Sequence, residues 1–324
     1  MAGLRGLLAG LAGAVLLAAG SATATQSAQQ PPAKDTAPAD LSGVIVTAPD
    51  KPSPLVDPTT QFVRARVPQD RAGQLSRFRD KICVNVVGLP PAYGAFVAKS
   101  VIKLANEVRA PVDHAAKCAP NVNIIFSSTP QAQLDDIARR RDILFGFHFA
   151  ADLKKLTTFD RPIQSWYLTR SVGTDGTSVL ELNHGANFRD AGPGAAPESL
   201  GATVNGRAGS RLGEDLSSEL VHALILVDAN KVADTKIGAI GDYIALLALS
   251  RWQGLEHCNA VPTILNLMAD GCAGGAPQSL TSSDVALLKE LYSLDPRELG
   301  TLQRMAIAER MRSEMKQGAA ETPR

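Results

Sequence analysis

The 324-residue chain is short of the groups that usually announce chemistry. It has five histidines, four cysteines and two tryptophans, and aromatic residues make up 5% of it. His114, His148, His184, His222 and His257 never stand three or four residues apart, which excludes a two-histidine metal site on one helix face. No phosphate-cradling glycine loop, dinucleotide fingerprint, calcium loop or G-x-S-x-G elbow is present. Charge of one sign is missing as well. Lys and Arg number 33 against 32 Asp and Glu, so the chain lacks the basic excess that dominates affinity for nucleic acid. Beyond residue 20 there is no apolar run near the roughly 20 residues needed to span a bilayer. With so few rings, the core has to be aliphatic.

What is there begins with an address. Met1–Arg5 is a short positive start, Gly6–Gly20 is rich in Leu and Ala, and Ala22-Thr23-Ala24 is a small-x-small cleavage site. Residues 1–24 therefore read as a signal peptide, with the mature chain starting at Thr25. An uncleaved membrane anchor is the competing reading, and the apolar run is short for it. Losing the leader removes one Arg and leaves basic and acidic residues level. The destination is the periplasm of a Gram-negative cell, or secretion beyond it, with no transmembrane segment in the mature chain. Residues 25–72 are dense in Pro, Ala, Gln, Asp and Thr and read as a disordered tail that cannot bury enough surface to offset its ordering entropy. Within it, Val44-Ile45-Val46-Thr47-Ala48 is similar to the short boxes near the start of energised outer-membrane receptors. The simpler reading is an extended segment that adds an edge strand or nothing.

Residues 73–324 read as one globular domain, large enough for a real core. Ile82–Gly88 is β-branched and alternating, a strand. Ala92–Val108 has Phe96, Val97, Val101, Ile102, Leu104 and Ala105 at helical spacing. Asn121–Phe126 is a second strand and Pro130–Arg141 a second helix. Strand, helix, strand implies a crossover between parallel neighbours. Ile163–Arg170 is a third strand, Ser178–Leu182 a fourth, and Asp190–Gly213 a long Gly/Ala/Pro loop. Val221–Asp228 is an almost unbroken apolar strand. It leads to Ile237–Leu249, a helix apolar around most of its circumference and so central and covered. A short helix at Thr263–Met268 follows. Thr281 and Asp284 then form a capping box for a helix over Val285–Ser293, and a last amphipathic helix runs over Leu299–Met315. Together these predict an α/β (α+β) fold: a mixed sheet of four to five strands, a central buried helix and a helical C-terminal part. The Arg139-Arg140-Arg141 run, followed by Asp142, reads as a solvated helix end.

In an oxidising compartment the four cysteines, Cys83, Cys118, Cys258 and Cys272, suggest disulfides. Three pairings are possible. Local pairing is favoured, Cys83 with Cys118 and Cys258 with Cys272. A zinc site of Cys258, Cys272 and His257 is the sharper alternative, and its spacing matches no usual ligand pattern.

Candidate chemistry is sparse. His222 alternates into the main strand and reads as a satisfied buried histidine. His184, in the Asn183-His184-Gly185 turn, is the best candidate for a solvent-facing base, and Ser217 and Ser218 are the nearest hydroxyls in the chain to the main strand. Asp242 and Tyr243 on the apolar helix read as buried hydrogen-bonding groups.

The order of elements resembles an uncharacterised family of exported proteobacterial proteins with a zincin-like, metzincin-like layout. The stretches that carry the resemblance are Ile82–Val87, Asn121–Phe126, Leu224–Asp228, the central helix, Pro262–Asn266, and Leu280–Tyr292. The last is similar to the L-T-x-x-D-x-x-x-L-x-x-L-Y helix that follows the active-site helix in metzincin-like proteins. Where H-E-x-x-H would stand, this chain has Asp242, Tyr243 and Leu246. Leu246 cannot bind a metal and Tyr243 is a poor base near neutral pH, while zinc hydrolysis needs several ligands and a base. The resemblance implies the scaffold without the activity or a cofactor: an exported, non-enzymatic binding or interaction protein whose partner is an envelope protein or small ligand. A hydrolase that uses His184 with Asp242, or a loop serine, in a cleft below the third strand is the competing expectation.

Overall fold

The computed structural model describes residues 57–115, 117–182, 216–272 and 275–321. Its organising strand is β6, Leu216–Asp228, thirteen residues long. From Ala223 to Val227 every residue is buried, as expected of a strand covered on both faces.

The other strands assemble on either side of it. β3 (Val122–Ser127) runs parallel to β6, with Val122 opposite Ala223 and Ser127 opposite Asp228. β2 (Val84–Val87) runs parallel to β3, with α2 (Pro91–Glu107) between the two in sequence. On the opposite side β4 (Ile163–Gly173) is antiparallel to β6 along its whole length, and β5 (Ser178–Leu180) is antiparallel to β4. A two-residue strand, β1 (Arg77–Phe78), pairs with β6 at Glu219 and Leu220, ahead of the stretch that β3 covers. The sheet is mixed, in the order β2-β3-β6-β4-β5.

One face of the sheet carries the main core. α5 (Ile237–Leu249) lies there against α2, and Tyr243 through Leu249 are all buried. Gly241 faces α2 there, and a Cβ on it would come within 2.8 Å of the Ser100 hydroxyl. α6 (Ser282–Ser293) and α7 (Gly300–Glu321) extend this core through Leu287, Leu288, Leu291, Ile307 and Met311. The capping box of α6 forms: Thr281 accepts from the Asp284 N–H, and Asp284 accepts from the Thr281 N–H at 3.0 Å. The same buried carboxylate accepts from Thr263 Oγ1 and the Ile264 N–H, so it also holds the turn Ile264–Met268. The other face is covered by α3 (Pro130–Arg140) and a tight turn over Asp142–Phe145, around Leu134, Ile137, Phe145, Trp166, Leu224 and Leu226.

The folded region begins earlier than its composition implies. Residues 58–66, read above as the end of a disordered tail, form helix α1 (Pro58–Arg66), which buries Phe62 and Val63. Asp57 caps it by accepting from the Thr60 N–H at 3.1 Å and pairs with Arg312 of α7 at 2.8 Å. Few apolar residues suffice because α1 packs against α7. The main strand also starts five residues before Val221, and the fourth strand stops at Leu180 rather than Leu182. The disulfides take the local pairing, Cys83 with Cys118 and Cys258 with Cys272. This also disposes of the Cys258–Cys272–His257 zinc alternative, since both sulfurs are bonded to each other. Among the described residues no helix is long and apolar enough to cross a membrane. The two disulfides and this absence are compatible with a location outside the cytoplasm.

A candidate binding cleft on the open edge of β4

β4 is eleven residues long and its outer neighbour β5 only three. β5 covers Arg170 to Val172, and the Glu181 N–H extends the pairing to the Thr169 carbonyl at 2.9 Å. Towards its start the outer edge of β4 has no strand beside it among the described residues. The Asp228 N–H donates to the Pro162 carbonyl at 2.9 Å. By the alternation of an antiparallel ladder, Gln164 and Trp166 then turn their main-chain groups towards β6, and Ile163, Ser165 and Tyr167 turn theirs outwards.

Three segments surround this edge: residues 68–71, 145–156 and 251–256. They leave a cleft of about 540 Å³. Gly146 sets how closely the second segment approaches, because it adopts φ 63°, ψ −161°, and a Cβ there would collide with the Tyr167 carbonyl oxygen. Trp166 and Trp252 form buried walls, their indole N–H groups donating to the carbonyls of Leu156 and Leu246 at 3.0 Å. At the rim Phe147 and Phe149 meet edge to face at 5.5 Å, and Arg71 lies 4.3 Å over the Phe147 ring. Phe149 is 70% exposed.

The cleft holds charges of both signs. Glu256 is reached by Lys155 at 3.7 Å and Arg161 at 3.8 Å. Arg251 has no ion pair among the described residues, although its charge reaches Asp70. Burial, helped by the nearby Glu181 charge, pushes the Asp70 carboxyl up to about 7, against a smaller opposing effect of the Gln74 N–H. Gln164, 6% exposed on the cleft wall, donates through Nε2 to the Thr158 carbonyl at 3.1 Å, and its Oε1 has no partner.

The described residues among those singled out in the sequence lie elsewhere. His184 falls outside the described residues. The Asp242 carboxylate accepts from the Leu280 N–H at 3.1 Å and so pins the chain ahead of α6; it does not line the cleft. Tyr243 and Leu246 are buried in the core. The Asp242, Tyr243 and Leu246 positions therefore do not fit a zinc ion. Among the described residues no three His, Cys, Asp or Glu side chains are grouped to hold a metal. Ser218 Oγ lies 2.7 Å from Ser76 Oγ, a buried hydroxyl pair. His222 is held by Asn123 Nδ2 at 2.8 Å, and Asn123 in turn accepts from Asn85 Nδ2 at 3.1 Å. Burial, with a smaller push from Arg141, lowers the His222 pKa to about 4. The ring is half-buried and lies away from the cleft, and its Nδ1 has no partner among the described residues, so it is not the fully satisfied histidine that the strand pattern predicts.

Asp70, Gln164, Ser165 and Glu181 were missed in the sequence. Asp70 sits in the stretch read as tail, and Glu181, just past β5, sits in a stretch read only as a strand. The one available signal was the Gln164-Ser165 pair, two polar residues inside an otherwise apolar strand. No protein-family model, curated protein or solved structure matches the chain.

Proposed function

We propose that this is an exported binding protein with no catalysis of its own, whose ligand is an extended peptide segment lying along the outer edge of β4. The observation that carries the reading is the cleft of about 540 Å³ whose floor is a strand edge with outward-turned N–H and C=O groups. Such an edge pairs with an added strand, and the volume lies within the usual range for ligand sites. Charges of both signs and an aromatic rim suit a peptide better than a purely apolar ligand. The leader and the two disulfides support export, and the scaffold is the zincin-like layout without its metal ligands.

The hydrolase reading has one observation in its favour: two carboxyl groups, Asp70 and Glu181, line the cleft together, and burial pushes the Asp70 carboxyl up to about 7. One experiment separates the two. The purified mature protein is equilibrated with a pool of synthetic tripeptides and passed through a desalting column, and the retained and flow-through material is analysed by mass spectrometry. Intact peptides retained by the wild type and lost from Ser165→Pro support edge binding. Cleaved peptides that accumulate with time, and do not with Asp70→Asn, make the protein a hydrolase. A pool recovered wholly unbound and intact removes the peptide reading.

A further inference from the structure

Charged groups taken out of water are normally paired. Two carboxylates at one end of the cleft break this rule. Glu181 is 5% exposed, and its oxygens accept from Thr169 Oγ1 and Ser171 Oγ, both at 2.7 Å. Asp70 accepts from the Gln74 N–H at 3.2 Å and Ser76 Oγ at 3.4 Å. All of these donors are neutral. Neither carboxylate has an ion pair among the described residues. The cations nearby are otherwise placed: Arg71 stacks on Phe147, and Arg251 acts on Asp70 from beyond ion-pair range. Further along β4, on the face of the strand opposite to Thr169 and Ser171, the buried Gln164 Oε1 has no donor among the described residues and also lines the cleft. The cleft thus offers two carboxylates without a counter-charge and, further along, one unpaired amide oxygen.

We propose that the Asp70–Glu181 end of the cleft recognises a protonated primary amine, with the chain beyond it running along β4 towards Gln164. The inference rests on the peptide-binding reading above and names the group that fixes the peptide's register. An ammonium supplies three donors and the missing positive charge. In its absence the proton held by Asp70 does part of that work, so amine binding releases the proton. The amine comes either from a peptide N-terminus or from a lysine side chain.

The test is isothermal titration calorimetry of the full mature protein at pH 6 with three amidated probes: Phe-Ala-Ala, its N-acetylated form, and N-acetyl-Ala-Lys-Ala. Each is run in two buffers of different ionisation enthalpy. The free-amine peptide is expected to bind roughly ten-fold or more tightly than its acetylated twin, the scale of hydrogen bonds to charged groups, and to release a proton. Asp70→Asn and Glu181→Gln should each erase that preference. Preference for the lysine probe over the acetylated peptide would assign the amine to a side chain instead. Equal binding of free and acetylated peptides, with no proton release, overturns the amine site and leaves edge binding intact. Binding of none of the three, with an unfolding midpoint matching the variants', overturns both.

Discussion

The two faces of the sheet are built to different standards. On the α5 face, seven consecutive residues from Tyr243 to Leu249 are buried among α2, α6 and the apolar side of β6, and the carboxylate there, Asp284, has a full set of donors. On the α3 face a cluster of six buried residues does the packing. Among the described residues, buried polar atoms without partners occur on both sides: Gln74, Arg77 and Ser283 towards α6 and α7, and Gln164 Oε1 at the edge of β4. Unmet buried groups cost free energy. They persist where the rest of the fold supplies the stability, which is the usual arrangement at binding sites. The α5 face holds the protein together so that the β4 edge can remain incomplete.

The largest test of that contrast is a matched pair of truncations. Leu247 and Leu134 are both fully buried, one on each face. Leu247→Ala should cost about 3–5 kcal/mol, the upper part of the range for such cavities, and Leu134→Ala about 2–3 kcal/mol because α3 has fewer neighbours and can relax. Urea unfolding of both variants checks this. Equal losses would mean that the two faces are equally rigid and that the contrast is only one of composition.

Next in size is a pair of opposed pH dependences. The Asp70 pKa is raised from the ordinary carboxylate value to about 7. The folded state therefore holds a proton that the unfolded chain has released, and stability falls as pH rises from about 4 through about 7. The His222 pKa is lowered from 6.5 to about 4. Here the unfolded chain takes up the proton first, and stability falls as pH drops from about 6.5 towards 4. Each limb has an upper bound of about 3–4 kcal/mol by linkage. Asp70→Asn should flatten the alkaline limb and raise stability at pH 8, and His222→Gln should flatten the acid limb. Urea midpoints from pH 4 to 8 decide it, and an unchanged alkaline limb in Asp70→Asn would place its proton elsewhere.

The contrast also explains what could be read before the fold was known. The α5 face was legible because its signals are periodic and local: the almost unbroken apolar run Val221–Asp228, the apolar circumference of Ile237–Leu249 and the Thr281–Asp284 box; the two cysteine pairs, each close in sequence, were legible for the same reason. The cleft was not. Asp70, Gln164, Ser165, Glu181 and Arg251 are scattered over 180 residues and meet only because β5 is short and the chain around Gly146 folds over the exposed edge. No spacing rule encodes a strand edge left open. Sequence instead drew the eye to His184, which falls outside the described residues, and to Asp242, whose carboxylate is taken up by the Leu280 N–H. Helix α1 was missed for a related reason, since Phe62, Val63 and Val67 are too few to form a pattern and matter only once α7 is there to receive them.

The direction of the main-chain groups on β4 gives a third test, because proline removes one N–H at a time. At Gln164 the N–H turns towards β6, so Gln164→Pro should cost about 3 kcal/mol or more. At Ser165 it turns into the cleft, so Ser165→Pro should cost about 1 kcal/mol and act mainly on peptide retention. Thermal melts and the tripeptide retention assay, run on both, separate the two positions. Similar destabilisation by both would mean that Ser165 also pairs within the sheet and that the edge is closed.

The smallest expected effect on stability falls on Phe149, and it is informative for that reason. A ring 70% exposed contributes little to folding. Its one aromatic neighbour is Phe147, itself under Arg71. Phe149→Ala should therefore shift unfolding by no more than about 0.5 kcal/mol, as for other surface changes. If the rim serves a ligand, the same change should weaken binding of the free-amine Phe-Ala-Ala probe several-fold, since an exposed ring at a cleft mouth gains burial only when something covers it. Calorimetry against a thermal melt of the same sample measures both numbers. A variant as stable as the wild type and as good a binder would confine recognition to the charged end and the strand edge. A variant that loses several kcal/mol would show that Phe149 belongs to the fold, and that the incomplete side of the sheet is smaller than the cleft suggests.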